Sequence, residues 1–314
     1  MCNLRPKGGD PAVALVRGLE NHRVPQSFWF CKEDVMREIN AKKITEVVKK
    51  LCIDANLYMG EDLLAAFDRG EKEEESPVGK EIFQQLKENA RIAREEQVAY
   101  CQDTGLAVVF VEMGQDTHVV GGDFNAAVNE GVRQGYQEGY LRKSSCNCIS
   151  RANTKDNTPA IIHLEIVPGD KMKITVAPKG GGSENMSMVN MLSPSDGMEG
   201  LKKRVVDWVK QAGSNPCPPI VVGVGIGGTF EQAALIAKKA LLRPLGQKNP
   251  DAQVAALEAD LLTRINNLGI GPQGLGGRIT AMAVHVEMIP CHIASFPLAV
   301  NLNCHAQRHK EAVL

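Results

Sequence analysis

The stretch Cys101-Gln102-Asp103-Thr104-Gly105 decides how this chain is read. It stands between a long charged helical region and the apolar run at residues 106–111, which reads as a buried strand. A thiol, an amide, a carboxylate and a hydroxyl follow one another, and the glycine lets the backbone turn into the strand. Alone, the five residues also suit a plain turn, because Asp, Thr and Gly are turn formers and Cys is often simply buried. A thiol beside a carboxylate at a strand entrance suits metal chemistry combined with proton transfer. Two later cysteines favour that second reading.

Upstream of this turn the pattern is helical. Ile44, Val47, Val48, Leu51 and Cys52 form one apolar face from Ala41 onward. Leu63, Leu64 and Phe67 suggest a second short helix ended by Gly70. The charged run at residues 71–75 reads as a solvated loop, Pro77 restarts the chain, and Ile82, Leu86, Ala90 and Ala93 mark a further helix. Residues 1–35 carry Pro6, Gly8, Gly9, Pro11 and Pro25, then Phe28-Trp29-Phe30, without periodicity. They are expected to be an N-terminal extension, disordered or loosely docked, before a domain at residues 36–314. With Asp10, Glu20 and no apolar core of signal-peptide type, this stretch is a poor targeting sequence.

Downstream, residues 124–140 read as a helix ending near Arg142, and Cys146-Asn147-Cys148 as a loop. Residues 161–167 and 171–177, joined by Pro168-Gly169-Asp170, read as a β-hairpin. Its second strand runs into Pro178-Lys179-Gly180-Gly181-Gly182-Ser183-Glu184-Asn185, where three glycines free a row of N–H groups to face one anion and Lys179 adds charge. A helix at residues 201–212 leads to Asn215-Pro216-Cys217-Pro218-Pro219. The prolines there stiffen the backbone, which fits either a ligand thiolate or a plain rigid turn.

A strand at residues 220–224 and a helix at 230–242 bracket Gly223-Val224-Gly225-Ile226-Gly227-Gly228, a match to the dinucleotide fingerprint. No second strand with a terminal acidic residue follows at about twenty residues, so the glycines read as close strand–helix packing or a second anion-binding turn. A nucleotide-binding module using these glycines stays open as an alternative. Residues 252–265 are helical and 279–289 a strand, followed by Cys291-His292 and Asn303-Cys304-His305. The pattern gives an α/β class with mixed sheets flanked by helices.

Composition narrows the partners. The 314 residues are 43% hydrophobic and 23% charged, with net charge −1, so nothing favours nucleic acid or an anionic membrane surface. No apolar run approaches a membrane span. Aromatics are only 4%, which disfavours base or sugar stacking as the main activity. Nine scattered cysteines, an odd count, suit a reducing cytoplasm with thiols available for metal. A structural zinc protein using Cys146, Cys148 and histidines is a further alternative.

Taken in order, the Cys101–Gly105, Lys179–Ser183, Asn215–Pro219 and Asn303–His305 motifs resemble the iron–sulfur (class I) fumarate hydratases. The match is to their N-terminal domain, a separate alpha subunit in two-chain forms, and covers residues 36–314. L-tartrate dehydratase alpha subunits are similar too. The resemblance implies a 4Fe–4S cluster held by Cys101, Cys217 and Cys304, with one iron left without a thiolate to act as Lewis acid. It implies substrate contacts from Gln102, Asp103 and Arg142, and a carboxylate held by Lys179, Gly180, Gly181, Gly182 and Ser183. Asp103 would be the proton-transfer residue and His292 an active-site histidine. The ten residues after Cys304 carry no threonine–lysine–arginine set for the second carboxylate, so the rest of the site is expected from a beta subunit, in a dimer of alpha–beta pairs. The implied reaction is hydration of fumarate to L-malate, a tricarboxylic acid cycle step, with dehydration of L-tartrate as the alternative.

Overall fold

Two four-stranded mixed sheets, each faced by helices, form in the computed structural model, which describes residues 36–314. The expectation for residues 1–35 lies outside the described residues. After strand β1 (Arg37–Asn40), Asn40 caps helix α1 (Ala41–Leu57) by accepting the Lys42 N–H at 2.9 Å. Ile44, Val48, Leu51 and Cys52 are buried on its inner face. Helices α2 (Glu61–Glu73) and α3 (Pro77–Glu96) follow, with the Ser76 hydroxyl capping the second.

The expected break at Gly70 is not seen, and the expected loop is shortened to residues 74–76. Helix α2 continues through Gly70, where a Cβ would stand 2.5 Å from the Phe83 ring, so the glycine lets α2 and α3 approach. Glu74 is only 2% exposed. Its carboxylate accepts the N–H groups of Glu75 (2.8 Å), Ser76 (2.9 Å), Arg278 (2.8 Å) and Ile279 (2.7 Å). Burial pushes that carboxyl up, but the four donors outweigh it and hold the group below the usual carboxylate range.

Strand β2 (Leu106–Gly114) is followed by β3 (Thr117–Val120), which pairs parallel with β1, and by α4 (Phe124–Glu138). The expected hairpin is corrected. Strands β4 (Ile161–Val167) and β5 (Met172–Lys179) do not pair; β2 lies between them, parallel to β4 and antiparallel to β5. The turn joining them is claimed by the end of β2, since Gln115 donates to Val167 O (2.8 Å) and Asp116 to Gly169 O (3.0 Å). A continuously apolar β2 suits the middle of a sheet covered on both faces. Helices α1 and α4 cover one face, packing Val48, Val132 and Tyr136 on Val109, Ile174 and Val176.

The chain then enters the second sheet through a short helix α5 (Gly181–Glu184), strand β6 (Met188–Leu192), helix α6 (Gly197–Ala212) and strand β7 (Ile220–Gly228). Helices α7 (Phe230–Ala240) and α8 (Ala252–Asn266) precede strands β8 (Ala281–Cys291) and β9 (Phe296–Asn303). A last strand, β10 (Lys310–Val313), returns to the first sheet. The sheet orders are β10-β5-β2-β4 and β6-β9-β7-β8. Helices α6 and α8 bury Leu201, Val205, Leu261 and Ile265 on one face of the second sheet. Among the described residues no helix is long and apolar enough to cross a membrane.

The glycine fingerprint falls inside β7 rather than in a turn. A Cβ on Gly223 would meet Ala237 O at 2.1 Å, and one on Gly225 would meet Ala233 O at 2.1 Å. These glycines are consumed by the packing of α7 on the sheet, which removes the turn that a dinucleotide site needs. A Gly225→Ala variant should therefore lose about 1–3 kcal/mol or more of stability, because the obstacle is backbone and cannot rotate away. Urea unfolding checks this; an unchanged midpoint would contradict the packing account.

Candidate active site

Strand register gathers the cysteines. Cys217 stands just before β7 and Cys304 just after β9, and the two strands run antiparallel with Val221 opposite Asn303. Both thiols therefore emerge at the same end of the sheet. The His305 N–H donates to Cys217 O at 3.2 Å, tying the two segments together. Cys217 holds φ 53, a left-handed conformation unusual for a residue with a Cβ and found where a site constrains the chain. Cys101 joins them from the other sheet: with Cys304 it packs on the buried group that includes Tyr100, Val221, Ile279 and Ala306. Burial, then the neighbouring Cys304 and Cys101, raise the Cys217 thiol. Burial also raises Cys304.

The turn after Cys101 is locked from several sides. Gly105 has φ 75, and a Cβ there would lie 2.7 Å from the Lys179 backbone, so only glycine lets this turn lie against the end of β5. The Thr104 hydroxyl donates to Arg142 O (2.9 Å), and the buried Tyr136 hydroxyl donates to Thr104 O (2.8 Å). Asp103 accepts the Gly105 N–H at 3.0 Å with one oxygen and the Gly181 N–H at 2.8 Å with the other. Arg142, exposed at the surface, donates to Gln102 Oε1 at 3.4 Å. Gln102, Asp103 and Arg142 thus share one mouth with Cys101.

The glycine-rich loop differs from the expectation. Gly181, Gly182 and Ser183 form the first turn of α5, and the anion facing the Gly181 N–H is the Asp103 carboxylate of the same chain. Gly182 and Ser183, as first-turn residues, have N–H groups without an intrahelical acceptor. Lys179 does not face outward. It is 5% exposed, with Nζ 2.9 Å from Ser183 Oγ and 3.2 Å from Glu184. Glu184 in turn meets Lys238 at 2.5 Å and accepts from Asn301 at 3.2 Å. Burial pulls the Lys179 ammonium down to about 8, against the opposing charge of Glu184.

His292 is not brought to the cysteines within one chain. It follows Cys291, which pairs with Gly228 at the far end of β7, while Cys217 precedes Ile220 at the near end. Eight residue-to-residue steps of strand, Ile220 to Gly228, separate those ends, about 26 Å at roughly 3.3 Å per step. There His292 is exposed, and its Nδ1 accepts the Ala294 N–H at 3.1 Å in the β8–β9 turn. The resemblance implied an active-site histidine here, but within one chain a long strand intervenes in space.

Arg308 was missed by the sequence reading. It is 5% exposed and reaches Asp103 O (2.5 Å), Pro178 O (3.3 Å) and Asn56 Oδ1 (3.3 Å). Its signal would have been an arginine four residues after a ligand-type cysteine, a weak pattern in one sequence.

Among the described residues no three His, Cys, Asp or Glu side chains come together tightly enough to hold a single metal ion, which gives no support to a zinc site at Cys146 and Cys148. The donor set instead suits a polynuclear cluster, in which each thiolate meets a different metal: three free cysteines on three segments, with Cys101 and Cys304 on one buried group and Cys217 tied to the residue after Cys304. A cleft of about 560 Å³, lined by Phe110, His163, Leu235 and Ile236, lies elsewhere and contains none of the expected site residues.

Residues 45–313 match the model of the family described as Fumarate hydratase (Fumerase), and the chain belongs to that family of iron–sulfur hydro-lyases. It is 42% identical over 274 residues, 85% of this chain and 95% of the relative, to a protein of Methanocaldococcus jannaschii provisionally named L(+)-tartrate dehydratase subunit alpha. It is 33% identical over 270 residues, 85% of this chain and 89% of the relative, to L(+)-tartrate dehydratase subunit alpha of Escherichia coli K12, and equally to that of Shigella boydii.

The buried Lys179 carries a pH signature. Its folded value of about 8 lies below the ordinary 10.5, so the unfolded chain binds more protons between those limits. Wild type should gain stability relative to Lys179→Met as pH rises through that window, by a few kcal/mol at about 1.4 kcal/mol per pH unit. Paired denaturation curves at pH 8 and 10.5 measure it; a constant difference would contradict the burial of a charged ammonium.

Proposed function

We propose that this chain is the alpha subunit of an iron–sulfur hydro-lyase acting on a four-carbon dicarboxylate, with Cys101, Cys217 and Cys304 holding a 4Fe–4S cluster. The observation that carries the reading is that Cys217 and Cys304 leave one sheet end while Cys101, two residues before Asp103, packs with Cys304 on one buried group, all three being free. When bound, the cluster supplies a Lewis acid at the iron that lacks a thiolate, suited to a hydroxyl leaving group. The chain's own residues do the rest. Gln102 and Arg142 lie at the mouth, where the guanidinium can take a substrate carboxylate bidentately. Gly182 and Ser183 offer first-turn N–H groups to the same anion. Asp103, fixed through Gly105 and Gly181, keeps lone pairs free to accept or return a proton. Lys179 holds the loop from beneath, and His292 has no part in the site of its own chain.

The second carboxylate falls to residues of a beta subunit, a reading supported by the subunit-alpha names of the relatives. Fumarate and L-malate are our first choice of substrate, resting on the Lys179-Gly180-Gly181-Gly182-Ser183 version of the loop. L(+)-tartrate is the second, favoured by those relatives' names. A site built to pair tartrate's extra hydroxyl rejects a substrate lacking it by a large factor, because its own polar groups are left unpaired.

The test is anaerobic iron and sulfide analysis of wild type and cysteine variants, then kcat/KM for both substrates with the beta chain present. Wild type should carry about four irons per chain, Cys101→Ala, Cys217→Ala and Cys304→Ala should lose stable cluster binding, and Cys146→Ala should keep it. A full cluster in Cys217→Ala would overturn the ligand set. A strong preference for tartrate would reassign the substrate.

A further inference from the structure

Arg308 is a buried cation with no carboxylate at ion-pair distance among the described residues. Its three hydrogen-bond acceptors, Asp103 O, Pro178 O and Asn56 Oδ1, are all neutral. Its guanidinium carbon lies 5.6 Å from the Tyr100 ring centroid, a further contact but not a compensating charge. The Asp103 carboxylate is committed elsewhere, to the Gly105 and Gly181 N–H groups. Guanidinium cannot shed its proton to escape the low dielectric, and a buried charge without a partner is strongly unfavourable. A fold that keeps such a residue needs negative charge nearby. The groups able to provide it are Cys101 and Cys304, anionic once they bind metal: Arg308 bonds the Asp103 carbonyl two residues after Cys101, lies over the ring of the adjacent Tyr100, and stands four residues after Cys304.

The choice of arginine has a geometric reason as well. The three acceptors come from the end of α1, the end of β5 and the Cys101–Asp103 turn, and each is met by a different guanidinium nitrogen. Rigid, divergent N–H groups can satisfy all three at once; a lysine ammonium on a flexible stem would hold fewer of them in this arrangement. Arg308 itself lies four residues past Cys304, so one side chain links two of the three cysteine segments.

We propose that Arg308 is a positioning residue for the cluster: it fixes the Asp103 carbonyl, and with it the Cys101 turn, and sets a permanent positive charge beside the Cys101 and Cys304 thiolates. The inference rests on the cluster reading above and deepens it, since a three-thiolate cluster carries net negative charge that this cation offsets.

The test uses full-length chain reconstituted anaerobically, comparing wild type, Arg308→Lys and Arg308→Met by iron and sulfide content and by the midpoint potential of the cluster. Outer partners of metal ligands typically change metal affinity on the order of 10- to 100-fold, and a loss of that size is expected for Arg308→Met. Its remaining cluster should be harder to reduce, because the more negative reduced state loses its counter-charge. Arg308→Lys should hold iron less well than wild type yet keep a potential nearer to it, a separation that a merely structural role would not produce. Wild-type retention and potential in Arg308→Met would overturn the proposal. Should Arg308→Met fail to fold, Arg308→Lys decides, and unchanged iron retention there overturns the positioning role. Wild-type chain that takes up no cluster overturns the underlying reading instead, which keeps the two failures distinct.

Discussion

The arrangement depends most on how the chain crosses from one sheet to the other after β9. Strand β9 ends at Asn303 in the second sheet, and β10 begins at Lys310 in the first. The six residues between them carry Cys304, the His305 N–H that holds the Cys217 loop, and the Arg308 fork that holds the Asp103 carbonyl. Cys217 and Cys304 come to one sheet end through antiparallel register, but Cys101 reaches them only because this crossing stitches the sheets together. The apolar group beneath, with Phe67, Phe83, Val221 and Ile279, gives the crossing a rigid floor.

Charge is distributed to match. Asp103 spends its oxygens on backbone N–H groups, Lys179 and Glu184 neutralise each other below the loop, and Arg308 keeps an unmatched positive charge beside the thiols. Such a centre favours an anionic cluster at its base, while the exposed Arg142 at the mouth suits an anionic substrate.

Much of this was legible in the sequence where local chemistry and final structure agree. The helical periods at Ile44 and Ile82 gave α1 and α3, the apolar run after Gly105 gave β2, and stiff proline or glycine contexts singled out Cys101 and Cys217. What failed was long-range. Hairpin logic joined β4 to β5 because periodicity cannot reveal that β2 inserts between them. A run of acidic residues read as solvent-facing, although Glu74 is buried by backbone donors from residues two hundred positions away. The glycines of β7 imitate a phosphate turn, yet their role is set by the carbonyls of α7 pressing against them. His292 was placed at the site by the resemblance, and strand register puts it at the opposite end of β7 from Cys217 within one chain. Arg308 has only a weak local pattern, its place four residues after Cys304, since its partners come from α1, β5 and the Cys101 turn.

The central claim is that three cysteines hold a cluster with one iron free for substrate. Mössbauer spectroscopy of anaerobic ⁵⁷Fe-loaded protein, with the beta chain and with or without dicarboxylate, tests it most directly. Roughly one iron in four should be spectroscopically distinct and should alone change when substrate is added. Irons that all remain equivalent and indifferent to substrate, or a single mononuclear iron, would contradict the account.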